Sequence, residues 1–139
     1  MKQKFINAYM EVAKIFANLS YAKRLHVGAI VVKDDRIISI GYNGMPGGWD
    51  NDCEDENFKT RPEVLHAESN AIAKLAKSND SGVDADIFVT HSPCIECAKL
   101  IYQSGIKRVF YGEDYRDDAG IRFLKASGVE VHKEGEQNG

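Results

Sequence analysis

Cysteine is scarce in this sequence: three residues in 139, an odd number, with two of them packed into PCIEC. That usage argues against a disulfide framework and fits a reducing compartment in which thiols serve a metal site. Long apolar runs are missing as well. No stretch of eighteen apolar residues occurs, so the chain offers no membrane-spanning helix. The opening MKQKFINAYMEV lacks the charged, apolar and small-residue order of a secretory signal, and a cytoplasmic protein without membrane contact is expected. Basic charge is thin. The net charge is −3, and the five bases and one acid of residues 1–24 leave −7 for the remainder, which includes the run DNDCEDE. A polymeric nucleic acid calls for a broad basic stripe, so it is not an expected partner. Lys2, Lys4 and Lys14 read as the solvated face of an amphipathic helix; Lys23 and Arg24 are better placed to meet a small anion.

What is present suffices for one compact core and not for two, at 43% hydrophobic residues. A single domain over residues 1–133 is expected, followed by a frayed tail over 134–139. Phe5, Tyr9, Val12, Ile15, Phe16 and Leu19 recur at helical spacing and predict an amphipathic helix over 3–19. VGAIVVK and RIISIGYN are β-rich runs on either side of Asp34-Asp35, which predicts a hairpin of strands near 27–32 and 36–42. HAESNAIAKLAKS, CIECAKLIYQSG and DDAGIRFLKASG then read as helices, alternating with the strands ADIFVTHS, KRVFYG and VEVH. Such alternation predicts parallel crossovers. The expected fold is α/β, a three-layer α-β-α sandwich with a mixed five-stranded sheet. One segment departs from this economy: residues 43–65 form a loop far longer than its neighbours need, with Gly44, Pro46, Gly47, Gly48 and a cluster of acids. A loop of that length usually has a task.

Two short motifs carry the chemistry, His66-Ala67-Glu68 and Pro93-Cys94-Ile95-Glu96-Cys97, each at the start of a predicted helix. Cys94 and Cys97 are spaced so that their sulfurs share one face of a first turn. The unpaired N–H groups there favour thiolates, and Pro93 suits the helix boundary. Two thiolates and the His66 imidazole make a three-ligand zinc set, which leaves a fourth position open for water and implies catalysis. Glu68, two residues after His66, can take a proton from that water and pass protons to a substrate. A closed, structural site would need a fourth ligand from Cys53, His26, His91 or His132. A second metal through Cys53 and His26 lacks a convincing set of four ligands.

The stretches VGAIVVKDDRIISIGYNGMPGG, HAESNAI and SPCIECAKLIYQSGIKRVFY resemble the deoxycytidylate deaminase branch of the cytidine deaminase-like superfamily over nearly the whole chain. The H-x-E and P-C-x-x-C pair is the signature of zinc nucleobase deaminases at large, whereas GYNGMP before a long acidic loop is similar to the deoxycytidylate branch in particular. The resemblance implies hydrolytic deamination of dCMP to dUMP and ammonia, with one catalytic Zn2+ held by His66, Cys94 and Cys97 and with Glu68 as the proton carrier. It further implies Asn43 on the sugar hydroxyl and the Ala67 amide and Ser92 carbonyl on the cytosine edge. It implies a homo-oligomer, a hexamer, activated by dCTP and inhibited by dTTP. In that setting Gly44, Gly47 and Gly48 would cradle phosphates, with Mg2+ beside the acids of 50–56. Lys23 and Arg24, just before Val27, are expected at the substrate phosphate, with Tyr115 at the same mouth. Two alternatives stay open: a zinc deaminase of another base or nucleoside, such as tRNA adenosine or free cytidine, and a non-catalytic zinc-binding module. A basic surface would favour the first, and a carboxylate without a proton to move the second.

Overall fold

The computed structural model describes residues 1–136, and the end of the expected tail, 137–139, lies outside them. In chain order the elements are α1 (Gln3–Ala17), β1 (Gly28–Lys33), β2 (Arg36–Tyr42), α2 (Ala67–Leu75), β3 (Asp86–His91), α3 (Ile95–Gln103), β4 (Arg108–Glu113), α4 (Ala119–Ala126) and β5 (Glu130–Lys133). The hairpin turns at Asp34 and Asp35, both with positive φ (52° and 60°). Two left-handed residues give the primed turn whose twist matches the flanking strands, and Asp tolerates that conformation better than most side chains. Strand order is β2-β1-β3-β4-β5. β1 runs antiparallel to both β2 and β3, while β3, β4 and β5 are parallel, so the sheet is mixed as expected.

Alternate residues of each strand face opposite sides of the sheet, and this divides the core in two. Ile30, Val32, Phe88 and Phe110 meet Met10 and Ala13 of α1 on one face, where the Phe88 and Phe110 rings stack at 4.6 Å. Ala29, Val31, Ile87, Val89 and Val109 meet α2, α3 and α4 on the other. The three-layer expectation therefore holds. Each fully buried large apolar side chain contributes about 1.5–3 kcal/mol relative to exposure, and Phe88, Ile30, Ile87 and Ile101 are all of this kind. Gly28 lets α1 lie against the sheet: a Cβ there would stand 2.0 Å from the Ala13 carbonyl oxygen. At the opposite end of the strands, Arg108 grips the buried Asp86 carboxylate with two hydrogen bonds of 2.7 and 2.8 Å, from the register partner on the neighbouring strand.

Beyond β5, Glu134 is still bonded to the fold. The Glu134 N–H donates to the Tyr111 carbonyl at 2.7 Å, and its carboxylate pairs with Lys14 at 2.8 Å. The 43–65 loop is folded on itself by two isolated bridges, Gly44 with Leu65 and Glu54 with Thr60. Trp49 and Phe58 stand out from it, both more than half exposed. Among the described residues no helix is long and apolar enough to cross a membrane.

Candidate active site

The parallel strands β3 and β4 end together, His91 beside Glu113, and β1 begins and β2 ends at that same edge, Gly28 opposite Tyr42. Onto this edge α2 and α3 bring their N-termini. His66 is the N-cap of α2, and Cys94 is the N-cap of α3, its sulfur accepting from the Cys97 N–H at 3.5 Å. The expected helix starts are thus met, with Pro93 buried one residue ahead of the cap.

The three expected metal ligands converge although 28 residues separate His66 from Cys94. His66 Nδ1 lies 3.5 Å from Cys94 Sγ and 3.3 Å from Cys97 Sγ, and all three donor atoms fall within 4.8 Å of one another. A tetrahedral zinc with bonds of about 2.0 Å to nitrogen and 2.3 Å to sulfur would set those atoms roughly 3.6 Å apart. The donor set therefore fits zinc through Nδ1 and two sulfurs. The same proximity binds protons when no cation is shared. Cys97 donates to Cys94, which with His66 holds the Cys94 thiol down at about 3, while that bond and burial push Cys97 well above the ordinary thiol range. Hydrogen bonding to Cys94 raises His66.

Glu68, in the first turn of α2, is 4% exposed. Burial raises its carboxyl to about 7, where a group can both accept and return a proton near neutral pH. It lines a cavity of about 320 Å³ together with His66, Cys94, Ala67, Ser92, Asn43, Arg24 and Tyr115. That volume lies in the range of small-molecule sites.

The remaining expected residues are placed less uniformly. Arg24 lines the cavity and donates to Thr60 Oγ1 at 3.3 Å. Lys23 is absent from the lining; its backbone N–H, like that of Arg24, is held by the Glu54 carboxylate at the rim. Asn43 is already at work in the fold. Its Oδ1 accepts from the Val27 N–H and its Nδ2 donates to the Leu25 carbonyl, both at 2.8 Å. An amide has two acceptor positions and two N–H groups, so one of each remains for a ligand. Gly44 does not fit the phosphate cradle expected of it, because its N–H is committed to the Leu65 carbonyl at 3.1 Å. Gly47 and Gly48 lie on the loop in open surroundings, Gly48 with φ of 89°.

No second metal site is assembled from Cys53 and His26. His26 Nε2 contacts the Ala22 carbonyl and the buried Cys53 sulfur the Asn51 carbonyl. Among the described residues the one group of three clustered donors is His66, Cys94 and Cys97, so the closed four-ligand site is not built either.

Two cavity residues escaped the sequence reading of the substrate site. His91 packs edge-on to Tyr115 and has Thr90 Oγ1 2.9 Å from its Nδ1, and burial lowers its pKa. Arg116, with φ of 57°, lays its guanidinium over the Tyr115 ring and donates to the Tyr115 hydroxyl at 3.0 Å. With Arg24 it gives the mouth two cations.

A family profile described as "Cytidine and deoxycytidylate deaminase zinc-binding region" matches residues 3–113. Among curated proteins, ComE operon protein 2 of Bacillus subtilis is 42% identical over 78% of the chain, which spans 59% of that relative's length. Deoxycytidylate deaminase of Mus musculus is 37% identical over 90% of the chain and 76% of the relative. Among solved structures, that of dCMP deaminase from the cyanophage S-TIM5 in complex with dCMP and dUMP superposes with a TM-score of 0.94 at 48% identity. It covers 96% of this chain and 98% of that one.

Proposed function

This chain belongs to the cytidine and deoxycytidylate deaminase family, and we propose that within it the chain hydrolyses the 4-amino group of dCMP, giving dUMP and ammonia. The observation that carries the reading is the three-donor set of His66, Cys94 and Cys97, with His66, Cys94 and the buried Glu68 lining one cavity. When bound there, zinc supplies a Lewis acid that makes hydroxide available near neutral pH. Glu68 moves the protons. Water contributes its oxygen to C4 of the ring while the carboxylate takes one of its protons and delivers it to N3; the carboxylate then takes the second proton from the new C4 hydroxyl and passes it to the amino nitrogen, which leaves as ammonia as the C4–N bond breaks and the C4 carbonyl forms. The buried Ala67 and Ser92 offer backbone groups to the cytosine edge, and their positions are fixed by the same turns that hold the ligands. Asn43 keeps one donor and one acceptor for a sugar hydroxyl.

Preference for a nucleotide over a nucleoside rests on the mouth. Arg24 can meet a phosphate with two parallel hydrogen bonds, and Tyr115 closes the same side. The 5′ phosphate is tested by an ultraviolet assay across cytidine, deoxycytidine, CMP, dCMP and dCTP with wild type and Arg24→Ala. Wild type should prefer dCMP, and the variant should lose activity toward dCMP while keeping that toward deoxycytidine. Equal loss on both would refute phosphate recognition by Arg24. No turnover of any of the five by zinc-loaded wild type would refute the deaminase reading itself.

Activation by dCTP and inhibition by dTTP extend the proposal to the 43–65 loop. Its support is the resemblance of GYNGMPGG to regulated members of the branch, together with Gly47 and Gly48 in open surroundings beside the acids that would hold Mg2+. A homo-oligomer, a hexamer, follows from the same resemblance.

A further inference from the structure

The N-terminus of α4 meets the backbone that carries a zinc ligand with no side chain between them. A Cβ built on Gly120 would stand 2.1 Å from the Pro93 carbonyl oxygen and 2.9 Å from both the carbonyl carbon and the oxygen of Cys94. Atoms of a real side chain do not approach backbone this closely. Gly120 is buried in the first turn of α4, and its φ is not positive, so the requirement is for space and not for an unusual conformation. The residues just before it belong to the mouth: Tyr115, Arg116, Asp117 and Ala119 line the cavity. Ser92, two residues before Cys94, ties the same pair of segments together, accepting from the Tyr115 N–H at 2.8 Å and donating to the Tyr115 carbonyl at 3.3 Å.

We propose that Gly120 is a positioning residue: its bare backbone is the stop against which the Pro93–Cys94 turn is seated, and it thereby sets the place of the Cys94 sulfur relative to His66 and Cys97. The inference rests on the zinc reading of these three residues. Its physical basis is that the turn has little other freedom. Cys94 is held from inside by the Cys97 N–H and from below by the Ala98 N–H, which donates to the Cys94 carbonyl at 2.9 Å. A methyl group at 120 that pushed the helix away would pull on the short link from Ala119 back to the Ser92–Tyr115 clamp, so the strain falls on the Pro93–Cys94 turn. Sulfur placement then departs from the 3.3 and 3.5 Å spacing that suits a tetrahedral ion.

Cobalt(II) is the probe, because its visible absorption reports coordination geometry and thiolate ligation without any turnover. Wild type, Gly120→Ala and Gly28→Ala are titrated with cobalt after metal removal, with folding followed by circular dichroism. Gly28→Ala is the control for overpacking at the same edge of the sheet, since its Cβ would meet the Ala13 carbonyl on the face away from the three ligands. The expected result is a changed cobalt spectrum and binding weakened about tenfold to a hundredfold in Gly120→Ala, the range seen when groups that orient metal ligands are altered. Gly28→Ala should keep the wild-type spectrum even at a lower melting temperature. A wild-type spectrum and affinity in Gly120→Ala, or an equal loss in both variants, would overturn the inference and leave the zinc reading intact. Wild type that takes up no cobalt would overturn both. Should Gly120→Ala not fold, hydrogen exchange of wild type with and without zinc decides the matter. Zinc should slow exchange in the peptide 117–124 relative to one from α1, and unchanged exchange there would overturn the inference.

Discussion

In the proposed reaction Glu68 moves the protons, and a carboxylate near a metal can play either of two roles. A ligand would be lost together with the ion; a proton carrier would not. Glu68→Gln is therefore expected to bind zinc in the wild-type amount while turnover falls by about a hundredfold or more, checked by elemental analysis beside the rate assay. Cys94→Ala should lose metal and activity together. The protons on the sulfurs give a second expectation. Cys94 is held as the thiolate and Cys97 as the thiol in the absence of a cation, so zinc must displace the Cys97 proton. Binding near pH 7 should release about one proton or more per ion, and affinity should fall as pH falls, because acid returns that proton. Calorimetry in buffers of different ionisation enthalpy measures the number; zero release would mean that both sulfurs are already ionised. These ligands were legible in the sequence because two residue types at fixed spacing on helix starts leave few other uses. Arg116 was not, since it enters the cavity through a left-handed backbone in the turn after β4. No local pattern of residue types announces such a turn.

At the scale of elements, hydrophobic period carried most of the fold. VGAIVVK and ADIFVTHS read as strands from their β-rich content, and the structure buries both faces of each; the crossover helices between parallel strands followed from alternation. Ends were less legible. The first helix stops at Ala17, two residues short of the expected 19, because the N–H groups of Asn18, Leu19 and Ser20 bond three residues back and close a turn. Likewise α2 ends at Leu75, with Lys77 and Ser78 bonding to Lys74 and Leu75. Neither departure moves a site residue, since His66, Glu68, Cys94 and Cys97 stand at helix starts and Arg24, Tyr115 and Arg116 in loops away from both helix ends. The Asp86–Arg108 pair is a test of how β3 and β4 are held in register. Removing one partner of a buried pair leaves the other uncompensated, at 3–5 kcal/mol in full burial. Arg108 keeps a quarter of its side chain in water, so Asp86→Ala should cost less, about 2 kcal/mol. Urea denaturation of the zinc-saturated protein measures this. Zinc content should not change, because the pair lies at the other end of the strands.

For the whole molecule, the proposed regulation needs an effector that binds the active arrangement more tightly than the inactive one, since equal affinity shifts nothing. A sigmoidal dCMP rate curve is expected, made hyperbolic by dCTP with magnesium and moved to higher substrate concentration by dTTP. Coupling of the usual size, about 1–3 kcal/mol, corresponds to roughly five- to 150-fold in apparent affinity. Gly47→Val should abolish the response and spare zinc and basal turnover. A Cβ built at 47 meets nothing within 4 Å in the fold, so the added side chain should be tolerated there while obstructing an approaching phosphate. A hyperbolic curve unmoved by either triphosphate would remove the regulatory proposal and leave the deamination reading in place. The loop also carries its own reporter. Trp49 is the one tryptophan of the chain, and it stands 55% exposed on this loop, outside both halves of the core. Fluorescence excited in the indole band therefore comes from the loop alone: unfolding of the sheet should change the emission wavelength little, whereas a nucleotide settling against residues 43–65 should change it directly.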